Sequence, residues 1–173
     1  MDEEESPSLE PCREPRLEDL LNIARELNSR SVSYVIVGGF AIIHAGNTRT
    51  TFDLDILIDS SPENTQLALD ALTILEDGAA KSVAPTEVED YTVVRIADEI
   101  TVDLMASACG VTFDEAKHEI QWHNIQGIPI PFASPKLLWW TKQTYREKDK
   151  FDLMFLSDLF RKEGSPVPPP PLT

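Results

Sequence analysis

Basic residues are scarce in this chain. Lys and Arg number 15 against 30 Asp and Glu over 173 residues, a formal charge of -15 at pH 7. That balance excludes a protein that coats nucleic acid through a broad basic surface, although it leaves room for a local basic cleft. Cysteine is nearly missing too. Cys12 and Cys109 are the only two, too few for a disulfide framework, so a reducing cytosol is the expected compartment. No apolar run is long enough to cross a bilayer, so no membrane partner is expected. The opening residues Met1 to Glu5 are acidic, the opposite of a secretory leader, which again indicates a cytoplasmic protein. There is no internal repeat. His44 reads as structural, His118 and His123 lack metal-ligand spacing, and Cys109 has no base near it in sequence and reads as a half-buried thiol.

What remains is one domain's worth of chain with an ordinary apolar fraction of 42%. Residues 1–15 are acidic and proline-bearing and read as a disordered arm. Residues 164–173 form a proline-rich tail, read first as a solvated terminus and second as a ligand for a proline-binding module. Between them, 16–132 reads as the core and 133–163 as C-terminal helices. Apolar residues at helical spacing predict a helix over 16–29. A buried strand at Tyr34–Val37 runs into a glycine-opened helix ending before Gly46, followed by a strand over 52–58. Ser61 and Pro62 open a helix reaching Leu75. Runs 91–96 and 100–105 suit a hairpin, and a short helix over 112–117 follows. A second hairpin turns around Gly127. Ser134 caps a helix to about Tyr145, and another runs over 149–162. The sum is an α+β domain, a mixed sheet flanked by helices with a helical C-terminal extension.

The chemistry concentrates in Phe52-Asp-Leu-Asp-Ile56. On a strand, residues two apart share a face, so Asp53 and Asp55 project together. Like charges that close are kept when a cation or shared proton offsets their repulsion. Asp103 lies mid-strand in Thr101-Val-Asp-Leu-Met105. It is either a surface-facing acid or the third member of the group, the latter if its strand pairs beside 52–58. Three carboxylates could hold two Mg²⁺ ions for in-line phosphoryl or nucleotidyl displacement, and hard divalent ions prefer such oxygen ligands. Gly38-Gly39 is either a plain tight turn or a helix start whose N–H groups favour phosphate. It is neither a dinucleotide fingerprint nor a Walker loop. Lys136, Lys142, Arg146, Lys148 and Lys150 make a basic island. Lys148 and Lys150 read as a solvated face. Lys142 and Arg146, four apart on the predicted helix, read as one phosphate-facing pair. Trp139 and Trp140 are adjacent and cannot share a face, so core packing takes at least one.

Val37-Gly-Gly-Phe40, Gly46, Arg49-Thr-Thr-Phe-Asp-Leu-Asp-Ile56, Val102-Asp-Leu104, Ile128 to Leu138, Lys142 and Arg146 to Asp149 resemble, in that order and spacing, the nucleotidyltransferase superfamily of the DNA polymerase β type. Within it they are most like the small bacterial enzymes of the AbiEii toxin kind. The resemblance spans about Tyr34 to Leu156. It implies that Asp53 and Asp55 ligate both metals, Mg²⁺ or in its place Mn²⁺, and that Asp103 completes the site where the attacking hydroxyl is activated. It implies that Gly38 and Gly39 cradle the triphosphate of an NTP and that Lys142 reaches it. Thr50 and Arg146 are placed at the nucleotide, and Arg49 either touches phosphate or steadies the acidic strand. Many relatives carry Gly-Ser at the paired position, and Gly39 here lacks that hydroxyl. The implied reaction is attack by an acceptor hydroxyl, borne by RNA, protein or a small molecule, on the α-phosphorus of an NTP with release of pyrophosphate, in a toxin with an antitoxin partner or a stand-alone enzyme. Two other readings compete: a degenerate relative that binds without turnover, and a phosphohydrolase of the haloacid dehalogenase type. The latter needs an open turn after its Asp-x-Asp, where Ile56-Leu-Ile58 continues the strand.

Overall fold

The computed structural model describes residues 11–171. Its elements are α1 (Leu17–Ser29), β1 (Tyr34–Val37), α2 (Gly38–His44), β2 (Asp53–Ile58), α3 (Pro62–Leu72), α4 (Glu87–Tyr91), β3 (Val93–Ala97), β4 (Thr101–Met105), β5 (Ser107–Ala108), β6 (Val111–Thr112), α5 (Phe113–Ala116), β7 (Ile120–Ile125), β8 (Ile128–Ala133), α6 (Pro135–Thr141) and α7 (Glu147–Lys162). Six strands form one mixed sheet in the order β3-β4-β2-β1-β8-β7, and β5-β6 is a small separate hairpin.

The middle of that sheet is dictated by burial. All four residues of β1 are buried, and β2 is buried from Ile56 onward. Strands that read as continuous apolar runs need cover on both faces. Helices α1 and α3 pack on each other and α1 on β8, while α2 packs on β2 and α6. Leu20, Leu21, Ile23, Ala24 and Leu27 of α1 supply its buried stripe. Its first turn is held by Asp19, whose carboxylate accepts the Arg16 N–H at 2.7 Å and both arms of the Arg13 guanidinium at 2.8 and 2.7 Å. Arg13, grouped by composition with the arm, also donates its backbone N–H to the Glu99 carbonyl at 3.0 Å. The predicted caps form: Ser61 accepts from the Asn64 N–H and Ser134 from the Leu137 N–H. The β7–β8 hairpin closes through Gln126 and Gly127, both with positive φ, the backbone a two-residue hairpin turn requires.

Several segments differ from expectation, among them α3, which stops at Leu72 instead of Leu75. Helix α6 stops at Thr141, because Lys142, Thr144 and Arg146 all turn toward the buried carboxylate of Asp149. Lys142 and Arg146 therefore flank a connection and do not share a helical face. Tyr91 ends α4 instead of opening a strand, and Thr92, at φ 69, redirects the chain into β3. The proline-rich tail, expected in solvent, lies against α6: the Trp140 Nε1–H donates to the Pro169 carbonyl at 2.7 Å. Trp139 meets Phe160 edge-on with ring centroids 6.0 Å apart. Residues 1–10 of the predicted arm lie outside the described residues. Among the described residues, no helix is long and apolar enough to cross a membrane.

Candidate active site

Register brings the acids together. Strands β2 and β4 pair in parallel with Asp55 opposite Asp103, and β1 pairs antiparallel to β2 with Val37 opposite Asp55. Alternation places Leu54 and Ile56 in the core, both fully buried, and turns Asp53 and Asp55 to the other face. One oxygen from each of Asp53, Asp55 and Asp103 lies within 4.8 Å of the others. The trio lines a cavity of about 530 Å³ together with Gly38, Gly39 and residues of the α6–α7 connection.

The glycine pair is sterically required there. Gly38 has φ +64, and a Cβ on it would overlap the Asp55 carboxylate; one on Gly39 would overlap the Thr51 side chain. The chain thus makes its turn from β1 into α2 directly against the acid. Gly38→Ala is expected to cost at least the roughly 1–2 kcal/mol of a left-handed residue with a side chain and to displace Asp55. Urea unfolding together with divalent-ion titration checks both effects, and an unchanged midpoint with unchanged ion affinity would contradict them.

The electrostatics of the three acids are unequal. Asp103 is buried and gripped by Arg95, whose Nε lies 2.9 Å from Oδ1 and whose Nη2 lies 2.8 Å from Oδ2. The same Nη2 reaches Asp53 Oδ2 at 3.3 Å. The Asp103 carboxylate and its charge hold the Arg95 guanidinium further above its ordinary range. Asp55 has no ion-pair or hydrogen-bond partner among the described residues. Burial first, then the charges of Asp53 and Asp103, push its pKa up to about 7. A half-buried carboxyl flanked by two others, all of them oxygen donors, fits a hard divalent cation. Soft or imidazole-preferring metals find no His or Cys in the cluster.

A second ion network backs the first. Asp149 and Asp152 of α7 are fully buried. Lys142, itself 5% exposed, places Nζ 3.2 Å from Asp149 and 2.9 Å from Asp152. Arg49 forks onto Asp152 at 2.9 Å through both Nε and Nη2, and its Nη1 donates to the Thr50 carbonyl at 2.8 Å. Arg146 Nε lies 2.8 Å from Asp149, which also accepts from the Thr144 hydroxyl. Burial raises the Asp149 pKa, but Thr144 and Lys142 outweigh it and the net shift is downward.

These contacts sort the expected residues. Asp53, Asp55, Asp103, Gly38 and Gly39 converge. Arg49 and Lys142 line the cavity with their charged groups already engaged by buried acids. Arg146 lines it with its side chain 63% exposed, which leaves its outer nitrogens toward solvent. The wall holds Thr51 where Thr50 was expected; Thr50 is exposed. Lys148, read from sequence as a solvated residue, also lines the cavity, and its charge draws the Asp55 pKa down. Arg95 was missed altogether. Its signal was available in the hairpin register, since a turn pairing Ala97 with Thr101 necessarily pairs Arg95 with Asp103.

No family model matches the sequence, and no curated protein matches it. Solved structures do match the fold. Lincomycin-bound lincosamide antibiotic adenylyltransferase LnuA aligns with a TM-score of 0.54 at 16% identity, over 85% of this chain and 99% of that one. The antibiotic-resistance factor ANT(2'')-Ia, a solution structure, aligns with a TM-score of 0.51 at 14% identity, over 83% of each chain. The mixed six-stranded sheet with its flanking helices is the nucleotidyltransferase fold.

Proposed function

We propose that this chain is a Mg²⁺-dependent nucleotidyltransferase that moves a nucleoside monophosphate from an NTP to an acceptor hydroxyl. The observation that carries the reading is the convergence of Asp53, Asp55 and Asp103 beside the Gly38-Gly39 turn in a chain of this fold. Asp53, Asp55 and Asp103 would hold the divalent ions, which supply charge neutralisation of the triphosphate and of the developing transition state. The chain's own groups do the rest. The N–H groups that open α2 face the phosphates without a side chain between them. Arg146 and Lys148 line the same cavity and supply positive charge to it. Arg49 ties the β2 approach to α7, and Lys142 ties the end of α6 to the same helix. The acceptor oxygen attacks the α-phosphorus, the bond to the β-phosphate oxygen breaks, and pyrophosphate leaves with that electron pair. Asp103 is assigned to the attacking hydroxyl and takes up its proton as the new bond to phosphorus forms.

The acceptor is proposed by class. An adenylyltransferase of this fold is bound to lincomycin, which supports a small-molecule acceptor here. The net charge of -15 disfavours a long RNA footprint, while a short RNA end or a protein hydroxyl could enter the cleft. A toxin role with an antitoxin partner follows from the sequence resemblance alone.

Each α-labelled NTP is incubated with Mg²⁺ and, separately, total RNA, cell protein and a small-molecule extract. The expected result is label transfer to one fraction that chelation stops and Asp53→Ala abolishes. Transfer that survives both Asp53→Ala and Asp55→Ala would overturn the assignment.

A further inference from the structure

Arg95 stands in the trio as a cation of the chain's own making. It projects from edge strand β3 across the pair Arg95–Asp103, so its reach is fixed by register. Its fork occupies both oxygens of Asp103, and one arm extends to Asp53. Two of the three carboxylates thus share one guanidinium, and Asp55 is left without a partner among the described residues. The two gripped acids have side chains 7% and 17% exposed, while the Arg95 side chain is 61% exposed. The acids are fixed in the fold, and the arginine is free to swing into water.

We propose that Arg95 is a displaceable counter-ion that competes with the divalent cation for Asp103 and Asp53, so that it sets how tightly the site is loaded. This rests on the nucleotidyltransferase reading of the site. With Asp55 ionised and the guanidinium in place, the trio keeps two net negative charges and the protein avoids the full repulsion of three. A cation that bonds to Asp103 competes with the fork for its oxygens and repels the guanidinium, which then turns outward along the cavity wall. The opposite role, in which Arg95 pre-shapes Asp103 for the metal, requires Arg95 to strengthen metal binding. The two roles differ in sign. A unit charge near a dication at roughly 5 Å alters its binding about tenfold even with water-like screening.

The test is direct Mn²⁺ binding to the full chain without nucleotide, followed by the electron paramagnetic signal of the free ion. Arg95→Met is expected to bind Mn²⁺ about tenfold more tightly than the wild type. Arg95→Lys, which keeps a charge within reach but loses the fork, is expected to fall between them. The metal-free melting temperature of Arg95→Met should be lower at pH 8, and its rise on adding Mn²⁺ larger than that of the wild type. The wild type supplies a further readout should Arg95→Met not fold: one arginine Nε–H resonance should leave its ion-paired position as Mg²⁺ saturates. Weaker Mn²⁺ binding by Arg95→Met, or an arginine resonance unmoved at saturation, would overturn the proposal while metal binding itself stood. Loss of wild-type binding in Asp55→Asn shows that the ion counted is the one at the trio. A wild type that binds no Mn²⁺ would end both the proposal and the reading beneath it.

Discussion

Asp55→Asn is expected to abolish nucleotidyl transfer and, in metal-free buffer at pH 8, to raise the melting temperature. The two effects share a cause. Asp55 sits between Asp53 and Asp103 with its pKa pushed up to about 7, first by burial and then by those charges. A carboxyl whose pKa is higher in the folded than in the unfolded chain contributes stability that is complete below the unfolded value, about 4. That contribution is lost as pH rises through about 7. The amide that replaces this carboxyl does not titrate, so the variant's advantage over the wild type should be small near pH 5, grow as pH rises and level off above pH 7 at about 2–4 kcal/mol. Divalent ions reverse the order. They bind the folded wild type and stabilise it by mass action, and they have one ligand fewer in the variant. Because the ion displaces a proton from Asp55, wild-type affinity should also weaken as pH falls below 7. Thermal melts at pH 5 and pH 8, with and without Mg²⁺, give the four values needed. A variant less stable than wild type at pH 8 without metal would contradict the strain assigned to this carboxyl.

Lys142→Met should be the more damaging change to the fold. The ammonium lies between two fully buried carboxylates at 3.2 and 2.9 Å, and removing one partner of a buried ion pair typically costs about 3–5 kcal/mol. Arg49 and Arg146 remain on Asp152 and Asp149, so the low end, about 3 kcal/mol, applies. For a chain of this length that lowers the melting temperature by roughly 6–12 °C. The loss should appear without any nucleotide. Asp149→Asn combined with Lys142→Met should recover part of it, since the pair is then removed together. A Lys142→Met protein that melts with the wild type but binds NTP weakly would instead assign the ammonium to the phosphates.

The difference between these two sites marks what a one-dimensional reading could reach. Asp53 and Asp55 were legible because strand alternation is a local rule, whereas Asp103 stays open between two faces until its strand is paired beside β2. Ser61, Ser134 and the glycine pair announced their turns through residue chemistry alone. The α6–α7 connection was not legible. Helical spacing carried Lys142 and Arg146 onto one face, whereas the buried carboxylate of Asp149 draws both out of helix, and nothing local to 142–146 reports that carboxylate's burial. The tail failed for the same reason: Trp140 meets Pro169 across 29 residues. His44 was read as structural, and it stacks on Phe132 at 4.0 Å with its pKa lowered by burial and by His123. Arg95 lay between these cases, since the hairpin register exposes it once the turn is placed.

In the proposed reaction Asp53, Asp55 and Asp103 share divalent cations with a bound triphosphate. Anomalous diffraction at the manganese edge, from crystals grown with Mn²⁺ and a non-hydrolysable NTP, addresses it without reference to the acceptor. Manganese is expected within bonding distance of carboxylate oxygens of Asp53, Asp55 and Asp103, with the phosphates over Gly38 and Gly39. Nucleotide bound elsewhere, or manganese absent from the trio while the nucleotide is in place, would contradict it.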